Sequence, residues 1–258
     1  MARLIRGETM ESLHRGHFIV VDGDGVLIRS AGDTGFFTYM RSAAKPLQAL
    51  PFLTSGTADE YGFSDEEIAL ACASHSGEAR HTRVAELMLQ RTELSEAYLR
   101  CGTHLPFYEK EAERMMRAGE YPTQLHNNCS GKHAAMLATA KHIGADLATY
   151  DALENPLQQQ ILSAVAMMTE IPVSEIAIGI DGCSAPNFAM PLSAMAKSFA
   201  NLVSPPAGFS EETQKACGRI VSAMVKFPEL IGGSERLDTM LMQAAEGQII
   251  SKVGAEGV

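Results

Sequence analysis

Ser42 and Lys45 stand three apart in Arg41-Ser-Ala-Ala-Lys-Pro46. On a helix that spacing puts a hydroxyl and an amine on one face. A lysine amine stripped of water can be neutral near neutral pH and accept a serine proton, which turns the hydroxyl into a nucleophile. The pattern is short, and roughly one such pair is expected by chance in a chain of this composition. Its plain alternative is a helix-capping serine beside a solvated lysine.

Three further strings carry chemistry. Ala73-Ser-His-Ser-Gly-Glu78 packs small hydroxyls just past an apolar run. It reads either as a helix-ending turn closed by Gly77 or as a substrate loop in which Ser74 or Ser76 binds a polar ligand. His126-Asn-Asn-Cys-Ser-Gly-Lys-His133 is a polar loop feeding a helix N-terminus, a setting that favours anions. It is not a nucleotide phosphate loop. The glycine needed five residues before the Gly-Lys pair is His126, and the residue after the lysine is His133 rather than Ser or Thr. Within it Cys129 and Lys132 are three apart, while Cys183 follows a short apolar run in Ile180-Asp-Gly-Cys-Ser-Ala-Pro186. Two cysteines in polar loops at two element ends read as a soft-metal site, a redox pair, or two buried thiols. Cys72, Cys101 and Cys217 read as structural. Last, Lys252-Val-Gly254 ends an apolar run. Glycine two residues after a strand lysine lets a ligand lie against the strand, although an edge lysine that blocks aggregation is the commoner meaning.

The elements that would position these residues are legible in outline. Asp22-Gly-Asp-Gly25 between two apolar runs reads as the turn of a hairpin spanning about residues 16–34. A helix interrupted by Pro46 and Pro51 begins near 42–45. Ser64-Asp-Glu-Glu67 is a capping box opening a helix. Helices follow at about 79–91, 96–100, 110–117, 131–143 and 156–169, the last with proline in its first turn. Residues 175–181 read as a buried strand, then helices at 191–202, 211–225 and 234–245, and a strand at 248–253. Strands from both ends sharing one sheet, with a helical middle, make the fold α+β. The chain reads as a single domain over 1–258, with sheet-forming parts at 1–55 and 175–258 and a helical part at 56–174.

Composition narrows the function classes. The 258 residues carry 21 basic and 31 acidic side chains, a net charge of −10, which argues against nucleic-acid and anionic-membrane partners. No apolar run approaches the ~18 residues of a membrane helix. Met1-Ala-Arg-Leu-Ile-Arg-Gly-Glu8 lacks the apolar segment of a secretory leader. Five widely spaced cysteines suit a reducing cytoplasm.

Ser-x-x-Lys early, a hydroxyl-rich loop in the middle and Lys-x-Gly late is the layout of serine β-lactamases and penicillin-binding proteins. The longer strings, Arg41-Ser-x-x-Lys-Pro-x-Gln48, Ala-Ser-His-Ser-Gly-Glu78, His-Asn-Asn-Cys-Ser-Gly-Lys-His133, Asp-Gly-Cys183 with Pro186, and Lys-Val-Gly-Ala-Glu-Gly257, together resemble the bacterial L-asparaginase II family of the Rhizobium etli inducible type. The resemblance implies a serine β-lactamase-like antiparallel sheet flanked by helices, and hydrolysis of L-asparagine to aspartate and ammonia. It implies two serine–lysine pairs, Ser42 with Lys45 and Ser74 with Lys252. It also implies a zinc ion held by Cys129, Lys132 and Cys183, flanked by Asp181 and His133, and a homodimer. Family members continue past the Lys-x-Gly strand, so further C-terminal strands are expected, and the chain ending at Val258 is expected to be inactive or to associate. Ser42 attacking with Lys45 as base is the favoured route, although Ser74 with Lys252 could relay protons or supply the nucleophile. Candidates for binding the substrate's amino and carboxylate groups are Arg41, His75, Ser76, Glu78 and Asp181. The competing readings are a β-lactam-reactive serine hydrolase and a non-catalytic metal-binding protein built on Cys129 and Cys183.

Overall fold

The computed structural model describes residues 2–258, beginning with a hairpin for which the sequence gives no clear signal. Strands β1 (Ala2–Arg6) and β2 (Thr9–His14) pair antiparallel, and nearly every residue is exposed. The expected second hairpin forms from β3 (Phe18–Val21) and β4 (Leu27–Ala31). Its turn is held by Asp22, whose Oδ1 accepts Asp24 N at 3.0 Å and Val26 N at 2.8 Å. Neither hairpin joins the sheet that carries the site. That sheet has three antiparallel strands: β5 (Phe37–Tyr39) and β6 (Ala177–Ile180) flank β7 (Pro186–Pro191) in the order β5-β7-β6. Distant parts of the chain thus share one sheet beside a helical majority, as an α+β fold requires.

Two strand expectations need correction. Residues 177–180 do form a strand, but at the sheet's edge rather than buried, with Ile180 69% exposed. Residues 248–253 form no strand. Val253 N donates to Asp238 Oδ1 at 2.9 Å, so this backbone donor is bound by a side chain and not by a neighbouring strand.

A 3₁₀ turn at Arg41–Ala44 leads into α1 (Lys45–Gln48) and α2 (Leu50–Thr54). Pro46 and Pro51 each occupy the first turn of their own short helix, where a missing N–H costs nothing. After α3 (Thr57–Glu60), the Ser64–Glu67 capping box opens α4 (Asp65–Ala71), with Ser64 N donating to Glu67 Oε2 at 2.8 Å. Then come α5 (Ala79–Arg91), α6 (Glu109–Ala118), α7 (Ser130–His142) and α8 (Pro156–Thr169). Beyond the sheet strands lie α9 (Leu192–Val203), α10 (Glu211–Lys226), α11 (Pro228–Ile231) and α12 (Leu237–Ala244).

The core gathers around α7, whose residues from Ser130 to Ala140 are all buried. Helices α4, α5 and α8 pack on it, contributing Ile68, Leu70, Met88, Ile161 and Val165. Each such side chain contributes about 1.5–3 kcal/mol by leaving water. A helix buried on all sides has no polar face to spare. The polar residues of its first turn are therefore enclosed and held by packing. No helix is long and apolar enough to cross a membrane.

Candidate active site

A cavity of ≈ 370 Å³ opens where the 3₁₀ turn, the end of α4, the start of α7, the β6–β7 turn and the C-terminal segment meet. Its wall is formed by Arg41, Ser42, Ser74, His104, Phe107, Asn127, Asn128, Cys129, Asp181, Gly182, Cys183, Arg236 and residues 253–255. Both candidate serines open onto it.

Ser42 follows Arg41, which takes a left-handed backbone conformation at φ 51. For a non-glycine residue this costs on the order of 1 kcal/mol or more and persists only where neighbours enforce it. Here Arg41 N donates to Asn187 Oδ1 at 3.1 Å, and Arg41 Nε donates to Asp181 Oδ1 at 3.1 Å. Lys45, one turn further and buried, donates to Ala73 O at 2.6 Å and Asn128 O at 3.2 Å. Its backbone N–H donates to Ser42 O, but no hydrogen bond joins its amine to the Ser42 hydroxyl among the described residues.

Ser74 is the serine in contact with a lysine. Lys252 Nζ donates to Ser74 Oγ at 2.9 Å and to Val253 O at 2.9 Å. Burial brings the Lys252 pKa down from 10.5 to about 7, aided by the charge of Lys45 and opposed by Asp238. A lysine in that range is half neutral at neutral pH and touches a serine hydroxyl, the arrangement a proton acceptor needs. Gly254 lines the cavity, but its missing side chain serves packing: a Cβ there would come within 2.8 Å of Met40 O. The ligand-approach reading of this glycine gives way to a close backbone approach between the C-terminal segment and the residue before Arg41.

Cys129 and Cys183, which line the cavity, converge with the buried Lys132. Lys132 Nζ lies 3.1 Å from Cys183 Sγ. Contact with Cys129, then the charge of Lys132 and the nearby His133, push the Cys183 pKa far down despite burial. Cys129 moves up through the same contact and through burial. Burial alone would lower the Lys132 pKa, yet the two sulfurs raise it. Arg100 N donates to Tyr150 Oη at 2.9 Å, and the Tyr150 hydroxyl lies 2.7 Å from His133 Nδ1. If the hydroxyl donates to Nδ1, the ring hydrogen sits on Nε2, a buried atom with no hydrogen-bond partner. No three His, Cys, Asp or Glu side chains group as a metal-binding set among the described residues. The donor set here is two sulfurs and an amine.

Arg41 and Asp181 stand on the cavity wall, but His75, Ser76 and Glu78 do not. His75 is buried, bonded to Ser130 Oγ at 2.9 Å and stacked on His81 at 4.8 Å between ring centroids. Ser76 Oγ donates to Gly232 O at 2.7 Å. Glu78 accepts Ser234 N at 2.7 Å and Ser234 Oγ at 2.9 Å. Ser76 and Glu78 tie the Ser74 loop to the α11–α12 connection and His75 ties it to the start of α7, so the three position Ser74 from behind. His104, Phe107 and Arg236 reach the cavity without any signal in their local sequence, whereas Asn127 and Asn128 sit inside the polar string already singled out.

No curated protein matches the chain. A model of the L-asparaginase II family matches residues 2–258, and so takes in every wall of the cavity and both serine–lysine pairs. Family membership at this coverage supports an asparaginase-type amidohydrolase with a small-molecule amide substrate. The protein is a member of the L-asparaginase II family.

Proposed function

We propose that the chain, against the expectation that it is inactive, hydrolyses L-asparagine to aspartate and ammonia through an ester on Ser42, with Ser74 and Lys252 moving the protons. The observation that carries this is the 2.9 Å contact from Lys252 to Ser74, by a lysine brought down to about 7, on the cavity that Ser42 also lines. Ser42 Oγ attacks the side-chain amide carbon. Its proton passes through the Ser74 hydroxyl to neutral Lys252, which returns a proton by the same path to the departing nitrogen, and ammonia leaves. Water then attacks the ester, and Ser42 recovers its proton as aspartate departs. Lys45 acts by charge, helping to keep Lys252 unprotonated.

The two sulfurs and the amine fit a soft divalent ion, with Lys132 giving up its proton to bind. Cys129, Lys132 and Cys183 would hold zinc, which supplies Lewis-acid charge beside the substrate when bound. The serine β-lactamase-like arrangement draws support from Ser42 and Ser74 lining one cavity, with Lys252 bonded to Ser74, in a fold that carries an antiparallel sheet. The homodimer draws support from the exposed β1–β2 hairpin, since a lone two-stranded hairpin is marginal in water.

The test is ammonia release from L-asparagine, with L-glutamine as comparison, by the wild type and by Ser42→Ala and Lys252→Met. Loss by orders of magnitude in both variants is the expected result. Wild-type turnover in Ser42→Ala would move the ester elsewhere.

A further inference from the structure

Asparagine brings two more charges to this cavity, an α-ammonium and an α-carboxylate, and the carboxylate needs a cationic partner that the cavity has not already neutralised. Lys252 is engaged with Ser74, and Lys132 with Cys183. Arg41 is tied to Asp181 at 3.1 Å, with their side chains 32% and 15% exposed. Arg236 differs. It lines the cavity, and no carboxylate lies within ion-pair reach of it among the described residues. Its neighbour Glu235 is turned away to Lys110 at 3.0 Å.

Arg236 is also held in place. Its Cβ fills the space a side chain on Gly232 would occupy, 2.8 Å from the ideal Cβ position there. Its carbonyl accepts Met240 N at 3.0 Å, which fixes its backbone at the start of α12. Its guanidinium sits 6.0 Å from the centre of the Phe107 ring, and Phe107 stacks on His104 at 4.5 Å. A guanidinium resting on an aromatic face, with its N–H groups unclaimed by protein acids, is prepared for a planar carboxylate, which it can hold through two parallel hydrogen bonds.

We infer that Arg236 binds the α-carboxylate of the amino-acid substrate. This rests on the asparagine reading for the identity of the ligand. The same turn thereby serves both ends of the substrate, because Asp238, two residues on, holds the segment carrying Lys252.

The test is binding, measured by calorimetry on the full chain, so that it does not depend on turnover. The probes are L-aspartate and β-alanine, the same molecule without its α-carboxylate. Arg236→Gln keeps the methylenes packed on Gly232, and Arg236→Lys keeps the charge without the fork. Arg236→Gln is expected to weaken L-aspartate at least about tenfold, with Arg236→Lys intermediate and β-alanine unchanged. Equal losses for both probes, or no loss for L-aspartate, would overturn the assignment. Selective loss in a protein that releases no ammonia from asparagine keeps Arg236 and removes the hydrolysis reading. Turnover with unselective binding does the reverse. A wild type that neither binds nor hydrolyses overturns both.

Discussion

Asp238 Oδ2 lies 3.9 Å from Lys252 Nζ, while its Oδ1 accepts Val253 N at 2.9 Å and Ser251 Oγ at 2.8 Å. One buried carboxylate therefore holds the residues on both sides of the lysine and also bears on its charge. Asp238 raises the Lys252 pKa against the larger lowering effects of burial and Lys45. Asp238→Asn keeps most of the hydrogen-bonding shape and removes the charge, so the Lys252 pKa should fall below about 7. The acidic limb of the kcat/KM profile should shift to lower pH. A pH–rate profile of the variant checks this, and an unmoved limb would detach Asp238 from proton transfer.

Lys252 also makes a stability prediction. Its folded pKa is about 7 against an ordinary 10.5, so between these values the unfolded chain binds a proton that the folded chain refuses. The lysine's contribution is most favourable above 10.5 and is lost as pH falls toward 7. Lys252→Met removes that loss. The variant should be inactive, and its stability advantage over wild type should grow as pH falls through this window. Urea unfolding at the two ends of the window measures it, and a constant difference would contradict the low pKa.

Tyr150 is fully buried and its hydroxyl joins Arg100 N to His133 Nδ1. Tyr150→Phe leaves both groups without their partner. The expected cost is about 1–3 kcal/mol. It should appear as a lower urea midpoint with an unchanged slope. A change below about 0.5 kcal/mol would mean that water replaces the hydroxyl easily.

The sulfur–amine cluster makes a compositional prediction. Purified wild-type protein should retain zinc, and Cys183→Ser should retain markedly less, because a hydroxyl is a poor soft-metal ligand. Elemental analysis of both proteins decides it, with equal content counting against the assignment.

The sequence made local devices legible because they are closed by neighbours in the chain. The Asp22 turn and the Ser64–Glu67 box form as their spacing requires. The apolar run at 248–253 misled because its backbone partner is Asp238, a side chain no periodicity announces. Within the site, Ser42, Ser74, Cys129, Asp181 and Cys183 stood out as unusual residues in polar strings, and all reach the cavity wall. His75, Ser76 and Glu78 stood out equally, yet they face inward, since a loop that binds and a loop that is pinned share the same polar composition. Ser74 and Lys252 are 178 residues apart, and their contact depends on the packing of α11 against α4, of α12 against α11, and on the Asp238 hold. Arg236 and Phe107 carry no local mark because only tertiary folding brings them to the wall.

The most direct measurement is ammonia release from L-asparagine across about pH 5 to 9, taken for wild type and Ser42→Ala in parallel. Wild type should release ammonia and aspartate in equal amounts, with kcat/KM falling about tenfold per unit below the Lys252 pKa of about 7. Ser42→Ala should lose on the order of a thousandfold or more at every pH. Wild-type turnover in Ser42→Ala, or no asparagine-dependent ammonia from the wild type at any pH, would contradict the account.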